Sequence, residues 1–159
     1  LKDKDFHFKW LIVGNGGDME YFENKTAKLN LQDKVVFVGK VVDPMEKGKL
    51  FAISNLHLFP STYDTDGIVR IEAAAFSLPT VFVDTSLPAT TITDGDNGYI
   101  TQNTPEAFSQ KIEEIFADED RYKKVQQNCK KDLYITWDEV VPLAHEKYLE
   151  LCKKHQDNK

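Results

Sequence analysis

Apolar residues fall along this chain in short unbroken runs, separated by stretches where they recur every three or four positions. Trp10-Leu11-Ile12-Val13, Val35-Val36-Phe37-Val38, Leu56-His57-Leu58-Phe59-Pro60 and Pro79-Thr80-Val81-Phe82-Val83 read as strands, with a brief fifth at Gly98-Tyr99-Ile100. Continuous rather than alternating runs fit strands buried on both faces of a parallel sheet. Between them the spacing predicts helices over 18–29, 44–53 and 67–76. The first of these carries Met19, Tyr21, Phe22, Ala27 and Leu29 among charges. After residue 100 the pattern becomes helical throughout. Thr104, with Pro105 behind it, is a good N-cap with proline at the first helical position. That helix continues through Phe108, Ile112, Ile115 and Phe116. Two more follow, from Asp118 to about Asp132 and from Trp137 to about Lys154. The last sets Val140, Val141, Ala144, Tyr148 and Leu151 on one side, and Pro142 should kink it or mark its first turn. Phe108, Phe116, Trp137 and Tyr148 read as core at helical spacing. Strands alternating with helices predict βαβ units: an α/β fold with a doubly wound parallel sheet and C-terminal helices, one domain over residues 1–159.

Composition narrows the function classes. Net charge is −6 with acids and bases interspersed, which argues against a nucleic-acid binder but not against a nucleotide ligand. Cys129 and Cys152 have neither metal-ligand spacing nor a disulfide framework, which fits free thiols in a reducing, cytoplasmic compartment. No apolar run is long enough to span a membrane. Leu1 is not an initiator and Leu-Lys-Asp-Lys-Asp has no signal-peptide shape, so a fragment or processed piece is expected. His7, His57, His145 and His155 share no spacing. His57, inside an apolar run, reads as a packed core histidine, and Lys153, Lys154 and Lys159 as a solvated end.

In doubly wound sheets ligands bind beyond the carboxyl ends of the strands. That directs attention to Gly14–Gly17, Gly39–Val41, Ser61–Gly67 and Asp84–Ala89. The loop Gly14-Asn15-Gly16-Gly17 lets backbone amides approach an anion. Met19 stands where a dinucleotide fingerprint needs its third glycine, so that site is weakly supported, and taken alone the glycines read as a tight turn. Gly39-Lys40-Val41 offers backbone groups to a base edge, yet by itself is also plainest as a turn. Ser61 to Glu72 is more informative. Gly67, Ile68 and Val69 supply free amides at a helix mouth, where the dipole favours phosphate. Glu72, in the second turn, can accept two hydrogen bonds from a ribose diol, and Asp64 on the approach loop can hold sugar hydroxyls. The plainer alternative makes Asp64 or Asp66 an N-cap and Glu72 a solvated residue. Against it, Glu72 precedes Ala73-Ala74-Ala75, small residues that suggest close packing on the sheet, where an unused acid is costly.

The stretch Pro60-Ser61-Thr62-Tyr63-Asp64-Thr65-Asp66-Gly67-Ile68-Val69-Arg70-Ile71-Glu72-Ala73-Ala74-Ala75-Phe76-Ser77-Leu78-Pro79-Thr80-Val81 resembles the C-terminal, donor-binding domain of GT-B-fold glycosyltransferases of family 4, the glycosyl transferases group 1. That family places two acids eight positions apart in this frame. Leu11-Ile12-Val13-Gly14-Asn15-Gly16, Val35-Val36-Phe37-Val38-Gly39, Ala52-Ile53-Ser54-Asn55-Leu56 and Asp94-Gly95-Asp96-Asn97-Gly98-Tyr99 follow the family order, so the resemblance covers about residues 9 to 152. It implies the Rossmann-like half of a GT-B fold and hexose transfer from a UDP-, GDP- or ADP-sugar with retention, without metal or cofactor. It implies Glu72 on the nucleotide ribose and Asp64 as the catalytic-side acid on the sugar hydroxyls. Gly67, Ile68 and Val69 then face the diphosphate and Gly39, Lys40 and Val41 edge the base, with Ser61, Asp66, Gly14 and Gly16 as further donor-side candidates. Three departures stand out. Asp64 replaces the family's longer Glu, Asp66 adds charge beside the sugar, and Ser77 stands where glycine is usual, with an effect expected on packing alone. The resemblance further places the family's diphosphate-neutralising Arg and Lys, and the acceptor domain, ahead of Leu1. The expectation is therefore a donor domain truncated at its N-terminal edge, inactive alone, that meets its acceptor, or a membrane surface, only through that other domain. A receiver-like signalling module lacks its acidic pair after Val13. A homologue that kept the fold without the chemistry stays open.

Overall fold

The computed structural model describes residues 1 and 6–157; Lys2–Asp5 of the opening stretch and Lys159 of the solvated end lie outside them. Among the described residues, five strands and six helices follow one another in the order the hydrophobic pattern predicts, with the last three helices in succession. They are β1 (Trp10–Val13), α1 (Met19–Lys28), β2 (Val35–Gly39), α2 (Pro44–Ile53), β3 (His57–Phe59), α3 (Ile68–Ala75), β4 (Thr80–Val83), β5 (Tyr99–Thr101), α4 (Pro105–Ala117), α5 (Glu119–Leu133) and α6 (Trp137–Asp157). A 3-10 turn over Leu87–Thr91, which the apolar pattern does not announce, follows β4. Every strand pairing is parallel, as helix crossovers require.

The ladder comes in two pieces: β1 pairs β2, while β3, β4 and β5 form a separate sheet in that order. The second piece holds the core. Val81 and Phe82 alternate across β4, and all four β4 residues are buried. On one face Phe82 packs with Phe59, Ala74 of α3, and Cys129 and Leu133 of α5. Val81 belongs to the other cluster, with Tyr99, Ile115 of α4 and Val125 of α5. Burial on both faces therefore holds for β4 and fails for β1 and β2, where Trp10, Val13 and Val36 are exposed. Neither α1 nor α2 contributes a buried residue, so that two-stranded piece is only thinly covered, with Val35 its one buried position among the described residues.

Several helix ends are fixed by the residues that sequence chemistry favours. Asp43 Oδ1 accepts from Met45 N at 2.9 Å with Pro44 behind it, and Thr104 Oγ1 accepts from Ala107 N at 3.2 Å ahead of Pro105. At the far end of α3, Ser77 N donates to Ala74 O and Leu78 N to Ala73 O, a Schellman closure. Its left-handed position is Ser77, at φ 55°. Hence the serine does more than adjust packing: it stands where only glycine adopts the backbone conformation without cost.

The expectation of core aromatics holds for Phe108, which packs against the Val81 cluster, and not for Phe116, which is exposed beside Tyr122, nor for Trp137 or Tyr148, which are 80% and 70% exposed. Trp137 and Tyr148 lie on α6, where among the described side chains only Val140 is even half-buried. Helical spacing marked a real apolar face, but apart from Val140 its described residues face solvent. Pro142 sits inside α6. His57 matches its reading: partly buried, it bonds Thr80 Oγ1 at 3.0 Å and lies between the rings of Phe51 and Phe59.

Candidate functional site

The loop from β3 to α3 is built on the better-packed sheet. Phe59, buried at the end of β3, anchors its start; Ala73 and Ala74, buried on α3, anchor its end. These alanines bring α3 close to the sheet, as their size suggests. The turn into the helix is made by Gly67 at φ 64°, ψ 63°, and a Cβ there would lie 2.9 Å from Phe59 Cζ. Glycine is therefore required twice over, by conformation and by space. Among the described residues no side chain caps α3, and no acid occupies its first turn, so the amides of Gly67, Ile68 and Val69 open the helix without a side-chain acceptor there.

The acids of this stretch have different environments. Asp64 is exposed and has no side-chain hydrogen bond or ion pair among the described residues. Asp66 is tied down: buried Arg70, one turn on, donates from Nε to Asp66 O at 2.8 Å and from Nη2 to Asp66 Oδ1 at 2.7 Å. The charge that Asp66 brings is thus paired inside its own loop, and Arg70 is spent as a staple. Ser61 Oγ accepts weakly from Tyr63 N at 3.4 Å, which bends the chain as it leaves the strand.

Glu72 is neither buried alone nor free in solvent. Its Oε1 accepts from Lys47 Nζ of α2 at 2.5 Å, and both side chains are 34% exposed. An ion pair this open contributes at most about 1 kcal/mol to folding. Lys47 is the residue that sequence reasoning passes over. It lies 25 positions from Glu72 on another helix, and no periodic rule connects them. The one signal near it is Gly48, a glycine inside a helix, which usually marks a close approach. A Cβ at Gly48 would lie 3.0 Å from Phe76 Cζ.

The glycine loops of the two-stranded piece meet one another. Gly14 N donates to Gly39 O at 2.8 Å, and Gly39 takes φ 78°. Gly14, Gly16, Gly17 and Gly39 all face open space, so a ligand can approach their backbone. Lys40 is exposed and Val41 half-buried beside them. No hydrogen bond or ion pair among the described residues links these loops to the stretch 60–72. A concavity of about 380 Å³ lies among Asp84, Thr101, Gln102 and Lys111, and a smaller one of about 150 Å³ among Asp94, Tyr99, Lys111 and Arg121. Neither is lined by Glu72. Arg121 is held there by Gly95 O at 3.2 Å.

Burial alone pushes His57 down to about 4, and burial is the main reason that the Cys129 thiol is pushed up to about 11, with the Asp132 carboxylate adding to the rise and backbone hydrogen bonds opposing it. Cys129 is therefore an inert core thiol, while Cys152 is exposed. Among the described residues, no helix is long and apolar enough to cross a membrane.

Comparison with known proteins adds to this geometry. The family model for glycosyl transferases group 1 matches residues 1–132. An uncharacterized glycosyltransferase of Methanocaldococcus jannaschii, MJ1607, is 29% identical over 138 residues, covering 84% of this chain and 35% of its own length. The N-acetyl-alpha-D-glucosaminyl L-malate synthase of Bacillus anthracis is 27% identical over 128 residues, covering 79% of this chain and 32% of its own. Among solved structures, HepE of Anabaena in complex with UDP superposes with a TM-score of 0.76 at 19% identity, over 92% of this chain and 41% of that one. Sucrose-phosphate synthase of Thermosynechococcus elongatus gives 0.77 at 22%, over 91% and 38%. The chain thus spans roughly a third of the curated relatives it matches, and the solved structures show a shared fold.

Proposed function

Because the chain belongs to the glycosyl transferases group 1 family, we propose that it forms the donor-binding part of an enzyme that moves a hexose from a nucleotide diphosphate sugar to an acceptor with retention at the anomeric carbon. In that reaction the bond from the anomeric carbon to the diphosphate oxygen breaks. A bond to the acceptor hydroxyl forms, and the acceptor proton leaves. The costly event is charge arriving on the departing diphosphate, and preorganised donors aimed at it are the effective remedy. The uncapped amides of Gly67, Ile68 and Val69 are such donors. Glu72 takes the ribose diol, Asp64 the hydroxyls of the donor sugar, and the backbone of Gly39, Lys40 and Val41 the base. Ser61 and the glycines at 14 and 16 border the donor.

The observation that carries this reading is the position of Glu72. A carboxylate half-buried on a helix that opens on bare amides is one helical turn from where a nucleotide's phosphates would rest. The uridine nucleotide bound in the HepE complexes makes UDP the first probe, followed by GDP and ADP. Calorimetric titration tests it. A charge-assisted bond to each ribose hydroxyl contributes about 1.5–3 kcal/mol, so Glu72→Gln should weaken the tightest of the three nucleotides roughly tenfold or more. Unchanged affinity in the variant, or no binding of any nucleotide by the parent chain, refutes it.

A further inference from the structure

Glu72 does not stand alone, and its neighbour is fixed by more than charge. Lys47 and Phe51 lie one turn apart on α2; Glu72 and Phe76 lie one turn apart on the α3 side. Lys47 meets Glu72 at 2.5 Å, and the rings of Phe51 and Phe76 meet at 5.9 Å between centroids. These are two rungs between the helices, one polar and one apolar, in a common register. Gly48, between them, has no side chain to hold α2 off Phe76. The two helices are thus tied at these two points, with the ammonium on one oxygen of the carboxylate. Oε2 of Glu72 has no partner among the described residues. A pair so exposed adds little to folding, so its consequence is geometric. It removes rotamer freedom from Glu72 and fixes the plane in which the second oxygen is presented.

Resting on the reading that Glu72 takes the ribose, we propose that Lys47 is a positioning residue for the sugar of the nucleotide: it orients the Glu72 carboxylate so that the 2′- and 3′-hydroxyls meet it preorganised. Lys47 touches neither phosphate nor base in this role. Its removal should cost affinity only where both hydroxyls are present.

The test compares UDP with 2′-deoxy-UDP, or the corresponding pair if GDP or ADP binds best, on the full chain by calorimetry. Lys47→Met keeps the stem and removes the charge; Lys47→Arg keeps a donor. Lys47→Met should weaken UDP about fivefold or more, the size of one preorganised hydrogen bond, and draw the UDP to 2′-deoxy-UDP ratio toward one. Lys47→Arg should restore most of that ratio. Three results overturn the proposal: unchanged affinity and ratio, tighter UDP binding (the lysine competes with the diol), or equal weakening of both nucleotides (a phosphate contact). If Glu72→Gln weakens UDP and Lys47→Met does not, the positioning role fails while the ribose reading stands. If Glu72→Gln has no effect, both fail.

Discussion

At the scale of single residues, burial sets the chemistry more often than neighbouring charge does. His57 is the clearest case, with its imidazole pushed down to about 4 by desolvation between two aromatic rings. Between about pH 4 and 6.5 the unfolded chain carries a proton on this residue that the folded chain refuses. Stability from this group is therefore complete above about pH 6.5 and drains away as pH falls toward 4. The loss amounts to about 1–3 kcal/mol. In His57→Phe that share of the acid sensitivity should vanish. Urea unfolding at pH 4.5 and 7.5 would reveal it as a smaller gap between the two free energies than in the parent, and equal gaps would contradict the assignment. Glu72 is a matter of orientation instead, its carboxylate held by one ammonium on another helix.

At the scale of elements, α3 shows what a sequence can and cannot disclose. Its existence was legible from the apolar spacing, its entry from Gly67, and its close seating from Ala73 and Ala74. The Asp66–Arg70 staple was legible in principle, since partners four apart face one another at a helix start. The Lys47–Glu72 pair was not, because contacts between helices are fixed by how the helices seat, which no local pattern encodes. Nor was the 3-10 turn at Leu87–Thr91, too short for any period to register. Ser77 falls between these cases. Resemblance marked the position as one where glycine is usual, and the reason becomes physical only with the left-handed closure of α3. Ser77→Gly should accordingly stabilise the domain by about 0.5–1 kcal/mol, the strain relieved exceeding glycine's greater freedom when unfolded. A thermal melt lowered or unmoved by the substitution would show that the serine is not strained there.

At the scale of the molecule, hydrophobic runs predicted five strands without revealing that two would stay thinly covered. A run reports that a strand can be buried, whereas burial needs a well-packed partner layer, and beside β1 and β2 neither α1 nor α2 brings a buried residue to one. The same gap explains α6, whose Trp137, Val141, Tyr148 and Leu151 face solvent. Cohesion is therefore concentrated in β3–β4–β5 with α3, α4 and α5. Amide hydrogen exchange should find β4 protected close to the global limit and β1 and β2 opening with far lower free energy. Uniform protection across both pieces would refute the division.

That uneven cohesion bears on how a nucleotide would be felt. The bare amides of α3 belong to the firm piece, while the open glycine backbone at 14 and 39 belongs to the yielding one. A ligand resting on both would act as a strut between unequal halves, its grip diluted by the work of quieting the softer side. Whatever stiffens β1 and β2 beforehand would sharpen affinity without touching the ligand.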